Sequence, residues 1–165
     1  MSLRTSLFLL FLFACLTLSA VPTQEVAINP LFAPFGTFSA EYENAFRADL
    51  SAGVNVWIEV MDVEARFGYG KLLYRPFKRH LESLGIGPTA GIITRYKEDE
   101  DSGDRDHETA PTLGIMAEYN WLVGAKKNIL LGVGFNAHRI IKHLDDLSPL
   151  RTFDGDLRLM LGYAW

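Results

Sequence analysis

The feature that most constrains this chain is alternation with a period of two, repeated along nearly its whole length beyond residue 20. Phe38, Ala40 and Tyr42 oppose Ser39, Glu41 and Glu43. Val54, Val56, Ile58 and Val60 oppose Asn55, Trp57 and Glu59. Val63, Ala65, Phe67 and Tyr69 oppose Glu64, Arg66 and Gly68. Ile115, Ala117, Tyr119 and Trp121 oppose Gly114, Met116, Glu118 and Asn120, and Leu131, Val133 and Phe135 oppose Gly132, Gly134 and Asn136. No apolar stripe at the helical spacing of 3.6 persists. Roughly eight segments read as strands: 25–32, 37–46, 49–61, 62–75, 85–97, 110–123, 128–141 and 153–165.

Alternation fits two architectures. A soluble barrel or sandwich is greasy inside and polar outside, whereas a membrane barrel is the reverse. Three features favour the membrane. Several segments span 12–14 residues, longer than the 5–6 typical of soluble strands and enough for the roughly 9–11 that cross a bilayer at a tilt. The mixed face combines glycine with charge, as the tapered interior of a small barrel does. Aromatics stand near segment ends on the apolar parity: Phe38, Phe46, Tyr69, Tyr96, Trp121, Tyr163 and Trp165. That is the placement of interfacial girdles. Trp57 has the opposite parity and is expected to fill the interior.

The first twenty residues, MSLRTSLFLLFLFACLTLSA, order one cation, a short apolar core and small residues. This is the layout of a secretory signal, with cleavage expected after Ala20, and the core is short for a transmembrane helix. An uncleaved anchor and lipid attachment at Cys15 are the alternatives; bulky Phe13 disfavours the second. Residues 21–165 then form one barrel domain with no cysteine, as suits an oxidising compartment. Removing Arg4 leaves 15 of the 16 Lys+Arg against 20 Asp+Glu, a net charge of −5, which argues against nucleic-acid binding.

Connections alternate too. With both ends of the domain on the periplasmic side, the stretch EDEDSGDRDHE (98–108) and residues 142–152 face outward, and shorter links such as GAKKN face inward. PFKRHLES, from Pro76, is long for an inner turn and reads as a short helical turn or a later strand end.

At this point the chain resembles the small eight-stranded outer-membrane β-barrels of Gram-negative bacteria. INPLFAPFGTFSAEYENAF (28–46) is similar to the opening of a family of short, largely uncharacterised outer-membrane barrel domains. The ending LRLMLGYAW resembles the C-terminal signal read by the barrel-assembly machinery, with Leu161, Tyr163 and Trp165 in the key places. The resemblance implies an all-β, eight-stranded antiparallel up-and-down transmembrane barrel in the bacterial outer membrane. It further implies contact with outer-membrane lipid and lipopolysaccharide, a monomer and no cofactor. It says little of function, because this fold hosts adhesins, anchors and a few lipid enzymes.

Three groups of residues are candidates for chemistry. The first is His138. Eight-stranded lipid A deacylases place a serine two residues beyond a histidine, but here that residue is Ile140, so the nucleophile is missing unless Ser148 supplies it from the last outer loop. The second is the acidic loop. Counting from Asp99, Gly103 falls at position five rather than six of a calcium loop, which leaves a solvated loop or a loose divalent site through Asp99, Asp101, Asp104 and Asp106. The third is an expected interior polar network of Glu41, Glu43, Glu59, Glu64, Arg66, Arg95, Glu118, His138, Asp156 and Arg158. Eight strands leave a lumen that side chains fill, so a closed network is expected in place of a pore. The leading expectation is a non-enzymatic barrel with a structural or surface-interaction role. A membrane-embedded lipid-modifying enzyme, or a secreted soluble barrel around a hydrophobic ligand, are the alternatives.

Overall fold

The computed structural model describes residues 21–59, 65–98, 105–141 and 153–165. The expected signal segment, Glu64, the 99–104 part of the acidic loop and Ser148 lie outside these residues. Eight strands run β1 (Gln24–Asn29), β2 (Thr37–Arg47), β3 (Leu50–Glu59), β4 (Ala65–Tyr74), β5 (Ser83–Glu98), β6 (Arg105–Val123), β7 (Ile129–Ile140) and β8 (Phe153–Ala164). Each pairs antiparallel with its sequence neighbours and β8 pairs back on β1, closing the barrel.

The burial pattern is inside-out. Phe38, Val54, Val56, Ile58, Leu113, Ile115, Val133, Phe135, Leu157 and Leu159 are exposed on the wall, while Glu25, Glu41, Glu43, Lys71, Arg75, Glu118 and Arg158 are buried in the lumen. Antiparallel partners share a face, so a parity fixed on one strand carries around the wall.

Both described ends of the domain meet at one rim, here the terminal rim. Thr23 and Gln24 N–H donate to the Trp165 carbonyl at 2.9 and 3.0 Å. The connection after β4 folds across this rim. Arg75 N–H donates to the Asp49 carbonyl at 2.8 Å and His80 N–H to the Ala48 carbonyl at 3.0 Å. This pushes Leu81 fully inside against Ala27, Ala45, Leu122, Leu130, Met160 and Ala164. The length of PFKRHLES is therefore explained: it is neither a helix nor strand but a floor under the lumen.

Toward the opposite rim, the loop rim, three boundaries differ from the sequence reading. β1 stops at Asn29, and Pro30–Phe35 form a 3₁₀ turn with Pro30 at its start. Proline cannot donate to a ladder, which ends the strand there. Gly36, at φ 78°, caps the turn in the left-handed conformation that glycine adopts without cost. β5 and β6 extend further than expected, pairing Lys97 with Asp106 and Glu98 with Arg105, so Arg105–Glu108 belong to a strand and not to the loop.

Candidate functional site

The polar lumen is the candidate site. Lys71 projects from β4 and its Nζ lies 2.7 Å from Glu41 Oε1 and 2.8 Å from Glu118 Oε2, and also pairs with Glu43. Arg75, just past β4, reaches Glu43 at 2.5 Å and Glu118 at 2.8 Å. Its Nε donates to Ser51 Oγ at 3.3 Å and its Nη1 to the Ser83 carbonyl at 3.1 Å. Arg158 on β8 pairs with Glu41 and lies 3.3 Å from Glu118 Oε2. Asn120 donates to Glu118 at 3.2 Å and Asn55 to Glu41 at 3.2 Å. Every buried cation here touches at least two carboxylates, the condition under which buried charge is tolerable.

Side chains of alternate strands build this layer, as the stagger of a closed barrel requires. Apart from Glu25 of β1, the charged groups come from β2, β4 and the residue just past it, β6 and β8. At neighbouring inward positions the odd strands supply small residues: Ala27 on β1, Gly53 on β3, Gly85 on β5 and Gly132 on β7. A Cβ on Gly53 would sit 2.9 Å from Lys71 Cε, one on Gly85 3.3 Å from Arg75 Cζ, and one on Gly132 2.5 Å from Asn120 Oδ1. Those glycines are the space that the ionic side chains occupy.

Glu25 differs from its neighbours. It is fully buried, one of its oxygens clusters within 4.8 Å of oxygens of Glu41 and Glu43, and neither of its own oxygens has a hydrogen-bond partner among the described residues. Glu41 and Glu43 are already engaged by Lys71, Arg75 and Arg158.

The loop half of the lumen is mainly aromatic and apolar, with Thr89, Thr112, Asn136 and His138 buried among the rings. The rings of Phe67 and His138 stack at 4.5 Å, Phe67 and Tyr69 lie 5.1 Å apart, and Trp57 packs on Phe32 of the 3₁₀ turn at 5.5 Å. Tyr69 and Met116 form a buried cluster with Phe67 and Trp57 that reaches past Lys71 to Leu73, and Ile93, Ala110 and Ile140 form another. Arg158 bridges the halves: its guanidinium lies 6.0 Å from the centre of the Tyr69 ring, and its Nη1 is 3.2 Å from Met116 Sδ.

Among the expected network residues, Glu41, Glu43, Glu118 and Arg158 come together. His138 is buried higher up, and Asp156 is half-buried on the inward parity beside Asn136. Glu59 takes the inward register position opposite Thr37, and Arg95 that of Ile93's parity, opposite Glu108. Arg66 takes the register position opposite Ile58, the parity of the outer wall. Tyr69 is corrected from the lipid girdle to the lumen, where it is buried. The cause is β4 itself, whose two parities, Phe67/Tyr69/Lys71/Leu73 and Arg66/Gly68/Gly70/Leu72, each mix apolar residues with one charge. Misassigning that parity also hid Lys71, and Arg75 was hidden in what read as a turn. Asp106 lies in β6 opposite Lys97. Leu161 and Tyr163 face outward, and the Tyr163 and Trp165 rings stack at 6.3 Å on the terminal rim.

No family model matches the chain, and no curated protein matches it. Among solved structures it is similar to the outer membrane protein Ail of Yersinia pestis, whose backbone structure was determined in a phospholipid bilayer nanodisc. The two are 12% identical over 87% of this chain and 99% of that chain, with a TM-score of 0.47. The barrel is established by the chain's own ladder, which closes on itself. Apolar residues outside, charge inside and eight closed antiparallel strands are the architecture of a bacterial outer-membrane barrel.

Proposed function

We propose that this protein is a structural or surface-interaction barrel of the outer membrane, neither pore nor enzyme. The observation that carries the reading is the inside-out wall around a lumen crossed by the Lys71–Arg75–Arg158 network. Ions would have to break that network and displace the Leu81 floor to pass. The terminal rim faces the periplasm, and membrane lipid and lipopolysaccharide contact the wall. The monomer is the functional unit.

A surface role is supported by the longest hairpin. β5 has 16 residues and β6 has 19, whereas a bilayer crossing takes about 9–11. The excess lies at the loop rim, where the register sets Lys97 opposite Asp106 and Glu98 opposite Arg105. This lifts a charged ribbon beyond the apolar belt. The catalytic alternative finds no support at His138, whose neighbour two residues on, Ile140, is a buried hydrocarbon.

Cell fractionation with gel migration before and after boiling tests the membrane reading. A heat-modifiable band in the outer-membrane fraction is expected, and a soluble, detergent-independent species would overturn it. Planar-bilayer recordings should show no steady large conductance. An epitope inserted after Ser102 should be labelled on intact cells; labelling only after lysis would reject the surface role.

A further inference from the structure

The wall is not equally closed along its height. The β1–β8 ladder ends at Ile28↔Leu161. Beyond that point β8 continues on β7 alone up to Arg139↔Phe153, and Thr37 and Phe38 of β2 pair only with β3. A seam therefore opens in the loop half, and the 3₁₀ turn Pro30–Phe35 sits in it. In hydrocarbon every backbone polar group needs an internal partner, so an irregular segment facing lipid is normally excluded. This one is adapted to that setting. Pro30 and Pro34 carry no N–H. Asn29 Oδ1 accepts the N–H of Leu31 at 3.1 Å and, across the seam, that of Leu159 at 3.3 Å. Gly36 N–H donates to the Ala33 carbonyl at 3.0 Å.

A turn in place of a strand leaves a hollow on the outer face. It measures about 250 Å³ and is walled almost wholly by apolar atoms, with Pro30 and Ala33 of the turn on one side and Ile28, Ala40, Val56 and Ile58 of the wall on the other. Ile28, Val56 and Ile58 are also exposed members of the outward apolar belt, so the hollow is continuous with the lipid-facing surface. We propose that it seats one acyl chain of a surrounding membrane lipid. Water and peptide would find almost no polar partner there, whereas a flexible hydrocarbon fills an irregular apolar recess at no cost in hydrogen bonds. The seated chain would cover the seam and restore the contacts that the missing strand does not make.

This rests on the membrane reading above, and the test separates the two. The barrel is reconstituted in dimyristoyl phosphatidylcholine nanodiscs, released into detergent and weighed by native mass spectrometry. Wild type should retain one lipid per barrel. Ala40→Phe, which fills the hollow from the wall, should lose it several-fold, and Ile115→Phe on β6, across the barrel, should not. Ala33→Leu, filling the hollow from the turn, stands in if Ala40→Phe loses the heat-modifiable band. A heat-modifiable barrel that retains no lipid, or equal retention in all variants, overturns the seat but leaves the membrane reading standing. A dimer abolished by Ala40→Phe would assign the hollow to a second copy and also overturn it. Absence of any heat-modifiable barrel would instead sink the membrane reading.

Discussion

The two halves of the lumen are filled by opposite chemistry. Toward the terminal rim the filling is ionic, with Lys71, Arg75 and Arg158 held among Glu41, Glu43 and Glu118. Toward the loop rim it is Trp57, Phe67, Tyr69, Met116 and the Ile93–Ala110–Ile140 cluster, with the uncharged polar groups Thr89, Thr112 and Asn136 and the His138 ring among them. The difference follows the wall. The ionic half abuts the Leu81 floor and, apart from Arg158 above the last β1–β8 pair Ile28↔Leu161, the stretch where β1 and β8 are laddered. The aromatic half lies where the wall has its seam. A buried charge network demands exact distances, since a partner that drifts leaves an uncompensated ion. Ring packing tolerates small shifts at little cost. Most of the charge thus sits beside the laddered β1–β8 stretch, and the Trp57–Phe32 contact sits at the seam.

If that is right, damage to the ionic half should be the most severe. Lys71→Met removes one ion that touches three carboxylates and leaves Glu41, Glu43 and Glu118 short of positive charge. Breaking a buried network this way costs about 3–5 kcal/mol, read as a lowered urea midpoint in micelles. A change under about 1 kcal/mol, the range of exposed pairs, would mean water already reaches the network. Leu81→Ala tests the floor. Emptying a fully buried leucine site costs about 2–5 kcal/mol, and exchange of the Arg75–Ser83 backbone amides should quicken while amides near Ile93 stay protected. Uniform quickening would reject a separate floor.

Glu25 has the opposite sign. Its carboxyl is buried with no hydrogen-bond partner among the described residues, so ionising it would burden the ionic half. Glu25→Gln keeps the shape, lightens that burden and should raise stability by about 1 kcal/mol, within the range seen when poorly compensated buried charges are replaced. A loss of stability in the same urea titration would show that Glu25 has a partner to satisfy, and would remove it from the count of excess charge.

The division between halves was only partly visible in the residues themselves. Four of the five alternation patterns name their outward face correctly, because a run such as Val54, Val56 and Ile58 beside Asn55 has one reading once the membrane is assumed. β4 does not, since its two parities are equally mixed, and only its pairing with β3 decides that Lys71 faces in and Arg66 shares the side of Ile58. The floor was illegible for another reason. Nothing local to PFKRHLES says that Leu81 will insert, as the cluster that receives it comes from β1, β2, β6, β7 and β8. Glycines at 53, 85 and 132 did carry the signal of a filled lumen. Which side chain each makes room for is a long-range fact of the barrel's stagger.

The mildest change sharpens the contrast from the other half. Trp57 packs on Phe32 across the mouth of the seam, and its indole Nε1 has no hydrogen-bond partner among the described residues. Trp57→Phe therefore removes no bond, keeps an aromatic face toward Phe32 and vacates modest volume, so the expected cost is under about 1.5 kcal/mol. The same variant leaves Trp121 and Trp165 as fluorescent reporters of the wall and the terminal rim. Their emission should be unchanged while the unfolding midpoint moves slightly. A cost near that of Lys71→Met, or a shifted Trp165 spectrum, would show that the aromatic half is coupled to the rigid half as tightly as the ionic residues are to each other. The seam would then have to be held by a network that reaches the terminal rim.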